Sequence, residues 1–124
     1  MDNLILEGTK TTPNVNFSYE KGELLISGES YPENASAFYE KLITWIKNYI
    51  SLTKEIKLSF KFVYFNTSSS KAILDIIELL ENYHKHGGKV QLTWQYEVDD
   101  EDIYESGIEF TESLSLPFTL VEYN

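Results

Sequence analysis

Hydrophobic and polar residues alternate along several short stretches of this chain. The first stretch runs from Val15 to Tyr19, and the second contains Leu24 and Ile26, with the turn signal Lys21-Gly22 between them. Two alternating runs joined by a glycine turn predict a β-hairpin. The opening LILEGTKTTPNV is punctuated by Thr and Pro and predicts a short strand and a turn.

The longest alternation predicts a strand with one buried and one wet face. One face carries Ile56, Leu58, Phe60, Phe62 and Tyr64, and the other carries Lys57, Ser59 and Lys61. A further strand repeats the pattern, with Val90, Leu92, Trp94 and Tyr96 against Gln91, Thr93 and Gln95. Pro117 leads into a last predicted strand, Phe118 to Val121.

Spacings of three and four residues predict two amphipathic helices. The first carries Ala35, Phe38, Leu42, Trp45 and Tyr49. We expect a capping box of Ser30 and Glu33 at its start, with Pro32 in the first turn. The second carries Ala72, Ile73, Ile76, Ile77, Leu80 and Tyr83, and stops at Gly87-Gly88. The acidic segment EVDDEDIYESGIEFTE predicts a third helix.

This order of elements predicts an α/β fold. Two strand–helix–strand units overlap, and such crossovers join parallel strands. The strands at Leu24, Leu58 and Leu92 should therefore be parallel neighbours. Because two of the strands alternate cleanly, we expect a two-layer single domain over residues 1–124, with a mixed β-sheet and helices packed on one face.

In such a sheet the carboxyl ends of parallel strands share one edge, which favours binding sites. Three turns should meet there: Gly28–Asn34, Asn66–Ser70 and Glu97–Asp102. The second turn reads Asn-Thr-Ser-Ser-Ser and joins a strand directly to a helix. One such residue is enough to cap a helix. The others permit a second interpretation, phosphorylation, because a phosphoryl group at a helix N-terminus meets free N–H groups and Lys71 could pair with it.

Composition narrows the possible functions. The 124 residues carry a net charge of −10, with ten scattered Lys and Arg residues, which argues against nucleic-acid binding. The chain has no cysteine, and a hydrophobic share of 42% suits a packed core. No stretch resembles a membrane span or a signal peptide, so we expect a cytoplasmic protein.

Neither metal binding nor catalysis is indicated by the chain's motifs. His84 and His86 are two residues apart, which is not the spacing of two ligands on one helical face. The acidic run Asp99 to Asp102 lacks the spacing of a calcium loop and suits a helix start instead. No nucleophile elbow or phosphate-binding loop occurs. We therefore expect no cofactor and no enzymatic activity.

Two long motifs, GESYPENASAFY and YFNTSSSKAILDIIELLE, strongly resemble the SiaC family of bacterial regulatory phosphoproteins. The resemblance extends from the opening GTKTTP to the strand after LPF. It implies phosphorylation of the threonine after Asn66, which is Thr67, by a SiaB-like kinase, and removal of the phosphate by a SiaA-like phosphatase of the PP2C type. It also implies that the unmodified protein binds and activates a SiaD-like diguanylate cyclase, which raises cyclic di-GMP and controls biofilm formation.

The switch is similar in logic to that of STAS-domain anti-sigma-factor antagonists, which also carry a phosphorylatable hydroxyl at a strand-to-helix turn, so the fold is expected to be STAS-like. The chain lacks their Asp-Ser-x-Gly run. Ser68 is the second candidate for the acceptor, and Ser70 is chemically possible. The residues expected to contact a partner are Tyr31, Pro32, Glu33, Asn34, Asn66, Ser68, Ser69 and Lys71.

Two alternatives stay open at this point. The first is an anti-sigma-factor antagonist that uses the same phosphorylation. The second is a small protein–protein scaffold in which the hydroxyl run is only a helix cap. In the scaffold the open sheet face would bind the partner through Lys57, Ser59, Lys61, Gln91, Thr93 and Gln95.

Overall fold

The computed structural model describes all residues from 1 to 124 and contains six strands and three helices. In chain order these are β1 (Leu4–Leu6), β2 (Asn14–Ser18), β3 (Glu23–Ser30), α1 (Ala35–Ile50), β4 (Ile56–Phe65), α2 (Thr67–Lys85), β5 (Val90–Glu97), α3 (Glu101–Thr111) and β6 (Phe118–Tyr123). The predicted helices and strands are all present. No helix is both long and apolar enough to cross a membrane.

The strands form one mixed sheet whose spatial order, β1-β2-β3-β4-β5-β6, follows the chain. The pairs β1–β2 and β2–β3 are antiparallel, which confirms the hairpin. The pairs β3–β4, β4–β5 and β5–β6 are parallel. Leu24 pairs with Leu58, and Leu58 with Leu92, so the predicted parallel neighbours are confirmed.

The core lies between one face of this sheet and the helices. Leu58, Phe60 and Leu92 are buried together with residues from all three helices, such as Leu42 and Ile76. The polar residues of the same strands alternate with these and lie on the opposite, open face. Their alternation therefore predicted correctly that only one face of the sheet is covered.

Helix α1 begins later than predicted, and the expected capping box of Ser30 and Glu33 is wrong. Ser30 is the last residue of β3, where it pairs with Phe65 and is fully buried. Asn34 caps the helix instead, because its Oδ1 accepts a hydrogen bond from the Ala37 N–H at 3.0 Å. Pro32 precedes the helix, and a proline disfavours helical backbone at the residue before it.

A register shift near the end of β4 changes which side chains face the core. Gly28 pairs with Phe62 but Glu29 pairs with Tyr64, so Val63 is an extra residue in β4. The alternation is inverted beyond that point. Tyr64, predicted to face the core, is 52% exposed, whereas the Phe65 ring packs against Phe62. Gly28 has φ of +101°, a conformation that favours glycine.

Helix α3 lies close to β5 because Gly107 has no side chain. A Cβ at Gly107 would overlap the indole of Trp94. The Trp94 Nε1–H donates to the Ile103 carbonyl at 2.9 Å and ties the first turn of α3 to the strand. This packing fixes the acidic turn that follows β5.

Candidate functional site

The ends of β3 and β4 are joined at the carboxyl edge of the sheet, and this brings two of the predicted motifs together. The Asn66 N–H donates to the Ser30 carbonyl at 3.0 Å. Tyr31 directly follows β3, and Thr67 lies two residues after the end of β4, so the two residues lie side by side at this edge. The Tyr31 ring packs edge-on against Tyr64, with ring centroids 5.9 Å apart.

The third predicted turn is not joined to this pair in the same way. The β3–β4 pairing continues to Phe65, but the β4–β5 pairing ends at Phe60 and Trp94, so the two strands separate before the edge. The acidic residues Asp99 to Asp102 make no hydrogen bond or ion pair with the Asn66–Ser70 turn. Asp100 caps α3 through its Oδ1, which accepts from the Ile103 N–H at 3.0 Å.

The residues of the Asn-Thr-Ser-Ser-Ser turn differ sharply in their surroundings. Asn66 alone caps α2, since its Oδ1 accepts from the Ser69 N–H at 2.9 Å. Ser69 is fully buried, so its side chain has no surface for a partner to contact, contrary to expectation. Thr67 and Ser68 are exposed, and Ser70 is half-buried.

Thr67 is the first residue of α2, and its hydroxyl takes part in none of the side-chain hydrogen bonds of the chain. The backbone N–H groups of Thr67 and Ser68 also donate to no protein acceptor, as expected for the first turn of a helix. Ser68 instead faces a groove between α1 and α2, which it lines with Thr44, Lys71 and Asp75. The two exposed hydroxyls therefore have different neighbours.

Lys71 is one helical turn beyond Thr67 and is available for a new partner. Its Nζ lies 3.4 Å from the Asp75 carboxylate, in an ion pair of i,i+4 spacing. The Lys71 side chain is 79% exposed. Exposed pairs of this kind contribute little to stability, so their breakage costs little.

Beneath the turn, three buried hydroxyls form a hydrogen-bonded cluster. The Ser30 Oγ lies 2.7 Å from the Tyr39 hydroxyl and donates to the Ser69 Oγ at 2.8 Å. Burial raises the pKa of Tyr39 to about 12, although the neighbouring hydroxyls of Ser30 and Ser69 act in the opposite direction. Tyr39 was not predicted from the sequence as a site residue. A tyrosine on the buried face of a helix needs a partner for its hydroxyl, and that requirement was the available signal.

The remaining predicted contact residues lie on or near the surface of this edge. Glu33 is exposed, and Tyr31 and Pro32 are half-buried. The amide oxygen of Asn34 is already used by the cap of α1. The bulge in β4 adds Val63 and Tyr64, 56% and 52% exposed, which the alternation pattern could not place here.

Comparisons with known proteins agree with this picture. The family model described as SiaC family regulatory phosphoprotein matches residues 6–123. An uncharacterised protein of Pseudomonas aeruginosa strain UCBPP-PA14 is 36% identical over 121 residues, which are 97% of this chain and 96% of the relative.

Two solved structures from Pseudomonas aeruginosa are also similar. The crystal structure of apo-SiaC has a TM-score of 0.91 and 35% identity, covering 98% of this chain and 99% of the other. A chain in the crystal structure of the diguanylate cyclase SiaD in complex with its activator SiaC has a TM-score of 0.93 and 35% identity. The match covers 97% of this chain and 99% of the other. These comparisons confirm the family resemblance and the mixed α/β fold.

Proposed function

The chain belongs to the SiaC family of regulatory phosphoproteins, and from this premise we propose that it is a phosphorylation-controlled activator of a diguanylate cyclase. The unmodified protein binds the cyclase and raises its output of cyclic di-GMP. Phosphorylation of Thr67 releases the cyclase. The similarity to SiaC in the complex with SiaD supports the activator role.

The observation that carries this proposal is the environment of Thr67. It combines an exposed hydroxyl with no hydrogen-bond partner and a position beside Tyr31 at the carboxyl edge of the sheet. A kinase can reach such a hydroxyl without unfolding the turn. Ser69 is buried, so a kinase could phosphorylate it only after the turn opened.

The turn can accept a phosphoryl group without loss of the fold. The unpaired N–H groups of Thr67 and Ser68 and the positive end of the α2 dipole favour an anion there. Lys71 can turn from Asp75 to the phosphate, since it lies four residues beyond Thr67 on the same helix. Phosphorylation would therefore change the surface rather than the core.

Release of the partner follows from the added charge. A phosphoryl group brings close to two negative charges. Against a surface shaped for a neutral hydroxyl, these charges lose their hydration without gaining matched partners, which is costly. The net charge of −10 before modification adds to the repulsion from any acidic partner surface.

The docking surface in this proposal is the edge around Thr67. Tyr31, Pro32 and Glu33 contribute from one side of the turn. Ser68 and Lys71 contribute from α2, whereas Asn34 and Asn66 act by capping the helices that present these side chains.

The further partners are a SiaB-like protein kinase, which adds the phosphoryl group, and a SiaA-like phosphatase of the PP2C type, which removes it. The protein itself acts as a regulatory subunit and not as an enzyme. It forms one regulatory domain over residues 1–124 and works in the cytoplasm.

Site-localised mass spectrometry on protein isolated from its native cells tests the acceptor. Trypsin cleaves after Lys61 and Lys71 and releases the peptide from Phe62 to Lys71, which contains every hydroxyl of the turn. We expect phosphate on Thr67. Well-covered peptide without phosphate under several growth states would overturn the proposal and favour the scaffold function.

A binding assay with matched variants tests the readout. Thr67→Ala should keep binding to a SiaD-like cyclase from the same organism, and Thr67→Asp should weaken it. Ser113→Asp is the control, because it adds the same charge at an exposed serine between α3 and β6, at the opposite edge of the sheet. Equal losses for both Asp variants would show that the partner does not respond to Thr67 specifically.

A further inference from the structure

The cluster of Ser30, Tyr39 and Ser69 contains the only hydrogen bonds in the chain that join one buried side chain to another. The other buried polar residue, Thr111, bonds within its own helix, to the Gly107 carbonyl. The indole N–H groups of Trp45 and Trp94 donate to backbone carbonyls, and apart from the Tyr49 hydroxyl the remaining core side chains are apolar. Buried hydroxyls are costly unless they are paired, so three of them at one place in the core suggest a specific structural role.

The cluster lies where β3, α1 and α2 meet. Ser30 ends β3 immediately before Tyr31, Tyr39 lies in the second turn of α1, and Ser69 lies in the first turn of α2. Three elements therefore meet at these hydroxyls. Each of the two candidate binding motifs supplies one serine.

Ser69 is held at two atoms. Its N–H donates to the Asn66 Oδ1 at 2.9 Å, and its Oγ accepts from Ser30 at 2.8 Å. Asn66 is in turn bonded to the Ser30 carbonyl. Thr67 and Ser68 form the exposed bend between these two fixed residues, so the orientation of the Thr67 hydroxyl depends on both anchors.

We propose that the Ser30–Tyr39–Ser69 cluster is a latch that positions the Thr67 turn for the kinase and for the cyclase. The proposal rests on the function proposed above. A shift of the turn would leave buried hydroxyls unpaired, and that penalty holds the turn in one conformation. The three residues are positioning residues, since their side chains are buried and the proposed acceptor is Thr67.

Tyr39→Phe tests the latch, because it removes one hydroxyl and keeps the ring in the core. Ser30 and Ser69 can still bond to each other, so the fold should persist. We expect amide hydrogen exchange at Ser69 and Ser70 to accelerate about five- to tenfold, the factor for a net hydrogen bond of ordinary strength. The amide of Leu92, a fully buried residue of β5, is bonded to the Pro117 carbonyl and serves as the reference for changes in overall stability.

Tyr49→Phe is the matched control. Tyr49 is also a buried tyrosine of α1, but it lies at the far end of the helix, and its hydroxyl makes no side-chain hydrogen bond. Its removal should leave exchange at Ser69 and Ser70 unchanged relative to Leu92. Ser69→Ala gives a second test from the other side of the cluster. In the double variant its effect on the exchange rates of the turn should not add to that of Tyr39→Phe.

The functional readout is the rate at which a SiaB-like kinase phosphorylates Thr67. We expect kcat/KM to fall for Tyr39→Phe by a smaller factor than the exchange accelerates, because exchange follows the rare open conformation whereas the kinase acts on the positioned one. The value should be unchanged for Tyr49→Phe. Unchanged exchange at Ser69 and Ser70, or equal effects of both variants, would overturn the latch. If the kinase leaves wild-type Thr67 unmodified, the proposed function fails, while the exchange measurement still decides the latch.

Discussion

Asn66 is the residue whose side chain should matter most to the local geometry of the turn. Its Oδ1 accepts from the Ser69 N–H at 2.9 Å, while its own backbone bonds to Ser30 and Ser70 do not involve the side chain. Asn66→Ala removes the cap alone. The loss of such a cap costs about 1 kcal/mol of unfolding free energy. Asn66→Asp keeps the acceptor and adds a negative charge at the N-terminus of α2, which the helix dipole favours.

Urea denaturation followed by circular dichroism measures this cost. With an m-value of about 2 kcal/mol/M, a change of about 1 kcal/mol lowers the midpoint by about 0.5 M. The urea midpoint of Asn66→Asp should lie within about 0.1 M of the wild-type midpoint or above it. Asn34→Ala is the matched control, because the Asn34 side chain caps α1 with the same kind of bond, from the N–H three residues along (Ala37), at 3.0 Å.

The two alanine variants should lose similar stability but differ in function. Only Asn66→Ala loosens the turn that holds Thr67, so only this variant should slow phosphorylation beyond its effect on stability. The reasoning is refuted if Asn66→Ala shifts the midpoint by less than about 0.1 M. It is refuted equally if Asn66→Asp is as destabilising as Asn66→Ala.

Two further changes test the packing that supports the site. Gly107→Ala should destabilise the fold by about 1–3 kcal/mol despite the better helix propensity of alanine, because the new Cβ overlaps the buried Trp94 indole. Urea denaturation followed by tryptophan fluorescence measures this loss. An unchanged midpoint would contradict the close packing. Glu81→Gln should lower the melting temperature at pH 7, because the Glu81 carboxylate accepts from the N–H groups of Ser115 and Leu116. Burial raises the pKa of Glu81, but these hydrogen bonds outweigh it and hold the pKa below its usual value. The stability they contribute is present above the pKa of Glu81 in the unfolded chain and is lost as the pH falls through the lowered pKa, so melting curves of wild type and variant should converge in acid.

Much of the fold could be predicted because each pattern had one physical cause. The alternation from Ile56 to Phe62 reports a sheet with one wet face, and the spacing of apolar residues after Asn66 reports the buried side of α2. Parallel connectivity then placed Asn66 and Tyr31 on one edge of the sheet. The pattern therefore located the hydroxyl run at this edge, while the choice of Thr67 within the run came from the family resemblance and stays a prediction.

The errors arose where a tertiary contact overrode a local preference. Ser30 has the residue type and spacing of a helix cap, but its pairing with Phe65 and the buried hydroxyls of Tyr39 and Ser69 keep it in β3. The bulge at Val63 inverts the pattern without a signal in β4 itself, since it depends on the register with β3. Thr67 and Ser69 are only two residues apart in the sequence, and only the packing of α2 against α1 makes one exposed and the other buried.

The central claim is that one phosphoryl group on Thr67 decides whether the cyclase stays bound. Titration calorimetry should compare the unmodified protein with protein phosphorylated at Thr67 alone, each against a SiaD-like diguanylate cyclase from the same organism. We predict that the dissociation constant rises at least about a hundredfold on phosphorylation, a difference of about 2.8 kcal/mol. Dissociation constants that agree within about twofold, or a tighter complex with the phosphorylated form, would contradict the account.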